Sequence, residues 1–176
     1  MTSRINLLLI WVAIGIMGRL VIHIPDVTPL TSLCLLSSTI FPKRVSVAII
    51  FITLILSDFL LQIIFKQSQF GIWSLFNYSG WFLVILIGFG FAKNPSFKNS
   101  IYFTVFSAFI FWLWSNLGTF CFSFGLYSHT LNGLMQCYIA ALPFLRNAVL
   151  GSLVWTVVLI FCLKIPNLKT SIKSHA

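Results

Sequence analysis

An all-α, polytopic membrane protein is the fold class this chain predicts, and two observations carry the prediction. Hydrophobic residues make up 59% of the 176 and charged residues 7%, with a mean hydropathy of +1.03, whereas soluble domains are roughly a quarter charged. The apolar residues also gather into runs of about 20, the length an α-helix needs to cross about 30 Å of hydrocarbon.

Five runs have that length: Ile5–Ile24, Val45–Phe65, Ile72–Phe91, Ile101–Phe124 and Leu142–Leu163. A sixth, Leu30–Phe41, is shorter and bracketed by Pro29 and Pro42. It suits a short or broken helix, or a re-entrant segment buried in protein. Basic residues choose the count, because Lys and Arg in short loops collect on the cytoplasmic side. Six crossings from an inner N-terminus put Arg4, Lys43, Arg44, Lys93, Lys98, Lys164, Lys169 and Lys173 inside, 8 of the 11, leaving Arg19, Lys66 and Arg146. Five crossings would divide Lys93, Lys98 and the C-terminal lysines between the faces. The expectation is a six-helix transmembrane bundle with a short second segment, one domain over residues 1–176, and both termini cytoplasmic.

The formal charge of +9 is then a topology signal facing anionic lipid headgroups, not a nucleic-acid footprint. Met1–Gly18 has a basic start and an apolar stretch but no A-x-A-like cleavage site, so it reads as a retained first helix.

Glu is absent from the sequence, Asp26 and Asp58 are the acids, and His23, His129 and His175 the imidazoles. A carboxylate-bridged metal pair or a histidine-rich oxygenase site is out of reach. No phosphate-loop motif occurs, so energy would come from an ion gradient or a partner. No catalytic residue, metal ligand or cofactor is predicted.

Four polar clusters remain. The first runs from Arg19 through His23 to Pro29, where two prolines stiffen an outer loop carrying His23 and Asp26. Ser57-Asp58 lies about 20 Å along the helix from Val45, at 1.5 Å per residue, in the outer third of the membrane. A charge there faces a cavity or a partner. Asp58 is read either as an ion pair with Arg19 or Arg146, or as part of a pocket wall; the two can coexist. Ser115-Asn116 sits at nearly the same depth, as interhelical glue or as a ligand contact. The run Gly133–Gly151 places Pro143 in the first turn of the last helix, where its missing N–H costs nothing. Arg146 and Asn147 follow as donors for an anionic or carbonyl-rich ligand. Counted from a cytoplasmic N-terminus, these clusters point to an outward-facing cup lined by His23, Asp26, Asp58, Asn116, Arg146 and Asn147.

Cys34, Cys121, Cys137 and Cys162 read first as buried thiols, with a Cys121–Cys137 disulfide and a soft-ligand role for Cys34 as alternatives. Trp73, Phe76 and Tyr78 read as an interfacial aromatic belt, or as a surface for stacking a planar ligand. Ala13, Gly15 and Gly18 make a face on which a neighbouring helix, internal or from another subunit, packs closely.

The segments R-L-x-x-H-x-P-D-x-T-P (Arg19–Pro29), L-S-D (Leu56–Asp58), S-N-x-G (Ser115–Gly118) and G-L-x-x-C-Y-x-A-A-x-P-F-x-x-N-x-x-L-G (Gly133–Gly151) resemble an uncharacterised family of small bacterial inner-membrane proteins. That family is similar to the substrate-binding S components of energy-coupling factor (ECF) vitamin transporters. The resemblance implies six helices, a vitamin or cofactor precursor held near the outer face, and partnership with an ECF-type coupling subunit and ATPases. Ser152 stands where the resemblance leads one to expect Asp.

The expected function is therefore membrane substrate capture for vitamin uptake. The alternative is a structural or assembly protein whose polar groups only fix helix packing. An enzyme built on His23 and Asp26 lacks a nucleophile beside them, and an ion-coupled transporter would use Asp58 as its proton carrier.

Overall fold

The computed structural model describes residues 2–21, 26–66, 68, 70–122 and 125–162, with 2–4 by backbone alone. Seven α-helices lie among them: α1 Thr2–Leu20, α2 Leu30–Ile40, α3 Lys43–Phe65, α4 Ser74–Phe91, α5 Phe97–Cys121, α6 Leu131–Ala140 and α7 Leu142–Cys162. Helices α3, α4, α5 and α7 are long and apolar enough to cross a membrane, while the apolar part of α1, Ile5–Leu20, and α2 are shorter. The chain is an all-helical membrane protein.

Local chemistry sets the boundaries. The Ser96 side chain accepts from the Asn99 N–H and starts α5 at Phe97, four residues before its apolar run, as an N-cap does. Thr130 caps α6 in the same way through the Gly133 N–H. Sequence reasoning anticipated no separate α6; the stretch read as a polar run is a ten-residue helix. It ends at Ala140 with Ala141 as its C-cap, two residues before Pro143, whose ring would clash with the preceding turn of a continuous helix. Pro143 falls in the first turn of α7, as expected. Ile24 and Leu163, the expected ends of the first and last spans, lie outside the described residues.

Helix direction follows from which residues meet. Gly15 faces Thr53 while Arg19 meets Ser57, a constant offset that parallel helices keep. Between these parallel helices α2 runs back, with Pro29 against Gly18 and the Leu33 carbonyl against the Trp11 indole. Asp58 meets Tyr78 and Lys43 stands over the Phe89 ring, so α3 and α4 are antiparallel. Phe91 packs on Phe103 and Phe76 on Gly118, which makes α4 and α5 antiparallel as well. Phe97 meets Phe161 and the Trp112 indole reaches the Ala141 carbonyl, so α7 descends beside α5. The starts of α3 and α5 thus share one end of the bundle with Lys43, Arg44, Lys93 and Lys98. The starts of α2 and α7 and the whole of α6 lie at the other, here called the upper end.

The short second segment is a helix, and it is the hub. All eight residues from Leu30 to Ser37 are buried, as expected of a helix packed on every side. At about 16 Å for 11 residues it is half a membrane thick. Its polar groups are bonded internally. The Thr156 hydroxyl donates to Ser32 Oγ at 2.8 Å, and Ser32 Oγ donates to the Ser152 carbonyl at 2.9 Å. Thr156 has one proton, already given to Ser32, so Thr104 is the donor in the 2.9 Å contact between the two threonines. This relay ties α5, α7 and α2 together, and Ser152, 2% exposed, enters it through its backbone.

The small face of α1 packs internally. A Cβ on Gly15 would drive into the Thr53 methyl of α3, and one on Gly18 into the Pro29 ring.

Candidate functional site

A cleft of about 250 Å³ opens at the upper end, lined by Asp26, Phe111, Trp112, Ser115, Asn116, Phe144 and Ala148. Each wall follows from helix geometry. Residues 111, 112, 115 and 116 fall on one face of α5, one turn apart, and Phe144 and Ala148 do the same on α7. Asp26 comes from the connection between α1 and α2.

The α5 wall is braced. The Ser115 hydroxyl and the Asn116 amide both donate to the Trp112 carbonyl, at 3.3 and 2.8 Å. Trp112 Nε1 donates to the Ala141 carbonyl at 2.9 Å, and the Tyr138 hydroxyl to the Leu113 carbonyl at 2.8 Å. Those last two bonds fix the break between α6 and α7 against α5.

Asp26 adopts a left-handed backbone, φ 64°, which is uncommon outside glycine, although Asp and Asn tolerate it best. The residue keeps an exposed surface, yet protein packs around its carboxyl and raises its pKa above the ordinary 3.8 by desolvation.

Of the six residues expected in the cup, the structure brings Asp26 and Asn116 to this cleft. Asp58 is elsewhere. It is 1% exposed and paired with Arg19 at 2.6 Å, while its second oxygen accepts from the Tyr78 hydroxyl at 2.7 Å. Arg19 also donates to Ser57 Oγ. Both carboxylate oxygens are thus engaged by protein, and of the two sequence readings the ion pair with Arg19 is the one realised. Arg146 is exposed and Asn147 half-buried on α7. Arg146 stands two residues from both Phe144 and Ala148, about 200° round the helix, so it turns away from the face that lines the cleft. His23 lies outside the described residues.

Sequence reasoning missed Phe111, Trp112, Phe144 and Ala148 as walls, and Tyr78 as the third member of the Asp58 network. Projecting the Ser115-Asn116 pair back by one helical turn would have found the first two. Tyr78 had been read with Trp73 and Phe76 as a belt. Trp73 is exposed, but Phe76 packs on Trp114 and Phe122. Cys121 and Cys137 are free thiols, the first exposed and the second buried, and Cys34 is buried in the core away from the cleft.

A larger groove of about 660 Å³ runs between α1 and α3 beside Leu8, Val12, Ile16, Ile49 and Ile52, with Arg44 at its rim. Its walls are almost wholly apolar, and it lacks the convergent polar groups that orient a small ligand.

A family model described as "Family of unknown function (DUF6580)" matches residues 1–171. The chain belongs to this family. No curated protein and no solved structure matches it.

Proposed function

We propose that the protein captures a small molecule, a vitamin or cofactor precursor, from the outer side of a bacterial inner membrane, in the manner of an ECF-type S component. The observation that carries this reading is the upper cleft, where a carboxyl, an amide and a hydroxyl converge among aromatic rings in a mostly apolar cavity, the usual make-up of a ligand site. Its position supports uptake. Lys43, Arg44, Lys93 and Lys98 mark the opposite end, and basic loops face the cytoplasm, so the cleft opens outward. In this reading α1, α2, α3, α4, α5 and α7 are six crossings with both termini cytoplasmic, and α6 is an outer helix at the cleft's rim.

The volume limits the cargo. About 250 Å³ is below the roughly 300–1,000 Å³ of sites that enclose drug-sized ligands, which favours a single ring system over a large macrocycle. Release inward needs energy that the chain has no motif to supply, and a coupling subunit with its ATPases would provide it. Equilibrium binding to the purified protein tests the reading. One vitamin or precursor should bind, and Asn116→Ala should weaken it more than tenfold while the protein still melts cooperatively. Unchanged affinity would remove the cleft from consideration.

A second reading, a structural or assembly protein, has one observation in its favour. The Arg19–Asp58–Tyr78 network is satisfied within the fold and leaves no group on Asp58 for a ligand. On that reading substitutions at the cleft alter stability, and no small molecule raises it.

A further inference from the structure

The cleft has a charge, and its sign narrows the ligand. Among the described residues its lining contains one ionisable side chain, Asp26, and no Lys, Arg or His. Among the described residues, three basic groups toward this end of the bundle are placed elsewhere, and His23 lies outside those residues. Arg19 is bound to Asp58, Arg146 turns off the lining face of α7, and His129, at the start of α6, is exposed and packs edge-on against Phe120. Three rings, Phe111, Trp112 and Phe144, form most of the remaining wall, with Ser115 and Asn116 as neutral hydrogen-bonding groups.

Each of these features has the same preference. Aromatic faces carry negative potential and attract cations, more strongly when water is excluded. A carboxylate held among protein atoms gains more from an incoming positive charge than one in bulk water. Asp26 is also kept in a strained left-handed conformation, and strain of this kind gathers at ligand clamps. An anion would meet the carboxylate, which repels it.

We propose that the cleft takes a small organic cation, an ammonium or a charged ring nitrogen on a body of about one ring, with Asp26 as its counter-ion and Phe111, Trp112 and Phe144 as its walls. Ser115 and Asn116 orient its polar substituents. This rests on the capture reading above and specifies its substrate class.

The test holds shape nearly constant and varies charge. 1-Methylnicotinamide, nicotinamide and nicotinate present one ring as a cation, a neutral molecule and an anion. Each is titrated into the full-length protein in detergent, wild type and Asp26→Asn, with binding read by calorimetry and thermal shift. Asn adopts the left-handed region readily, so the variant keeps the loop and removes the charge. The cation should bind on the order of tenfold more tightly than nicotinamide, as a cation gaining both a carboxylate and ring faces should. Nicotinate should bind weakest, and the cation's advantage should vanish in Asp26→Asn. Nicotinate binding as tightly as the cation, or a cation preference that survives Asp26→Asn, overturns the assignment. If all three are silent, a panel of vitamins and precursors decides. A cationic hit lost in Asp26→Asn supports the assignment, and a neutral or anionic hit overturns it while leaving capture in place. A blank across the panel with a cooperative melt overturns capture itself and this assignment with it.

Discussion

The two aspartates of the chain, Asp26 and Asp58, have opposite fates in the fold. Asp58 is sealed by Arg19 and Tyr78, so removing one member of the pair strands a buried charge. Asp58→Ala should lower stability by about 3–5 kcal/mol, read as thermal or denaturant unfolding in detergent. Replacing both partners, Arg19→Met with Asp58→Leu, should recover most of that loss, because the stranded charge is gone. Asp26 is the reverse case. Its pKa in the folded protein lies above the ordinary 3.8, so the native state holds the proton to higher pH than the unfolded chain does. Stability contributed by the protonated form is therefore present at low pH and declines as pH rises from about 3.8 through the folded value. Asp26→Asn should flatten that part of the melting-temperature profile and raise the melting temperature at neutral pH. Sequence reading identified both aspartates as exceptional, since each is an acid in an apolar chain. For Asp58 it offered an ion pair with Arg19 or Arg146 beside a place in the pocket wall, and left the choice open because it depends on Arg19 and Tyr78 converging from two other helices.

Among elements, α2 and the α1–α3 pair decide how the bundle closes. The α1–α3 contact is close enough that Gly15→Val should cost about 1–3 kcal/mol through overpacking against Thr53, measured by unfolding in detergent. Thr156 sits mid-relay between Thr104 and Ser32. Thr156→Val keeps its shape and removes both bonds, and should cost about 1–3 kcal/mol, at about 0.6–1.7 kcal/mol for each interhelical hydrogen bond in a membrane. The long spans were legible because their apolar runs match a membrane's thickness, and the short second segment was legible as an anomaly between two prolines. Its role as the hub was not, since Leu, Ser and Thr in an 11-residue run look alike whether they face lipid or five neighbouring helices. The α6 helix was hidden for a different reason. Ten residues with Asn132 and Gln136 among them lack the length and apolarity that mark a span, and the Thr130 cap is a local signal easily passed over.

For the whole molecule, the helices alternate in direction through α1, α2, α3, α4, α5 and α7, and the polar cleft stands at the end opposite Lys43, Arg44, Lys93 and Lys98. That polarity was foreseeable from the basic residues. The residues of the cup were foreseeable in part, because depth along a helix can be counted in sequence while the direction a side chain faces across the bundle cannot; Asp58 and Asn116 share a depth and belong to different sites. Whether this cleft is a ligand site is decided by a thermal-shift screen of vitamins and cofactor precursors on wild type and Ala148→Trp in parallel, the latter filling the cleft from α7. A ligand bound to the folded state alone stabilises it by about 2.7 kcal/mol at a hundred times its dissociation constant. At least one compound should stabilise wild type and leave Ala148→Trp unchanged, with both proteins melting cooperatively. A wild-type protein that melts cooperatively and responds to nothing in the panel, or a compound that stabilises both proteins equally, would contradict a ligand site in this cleft.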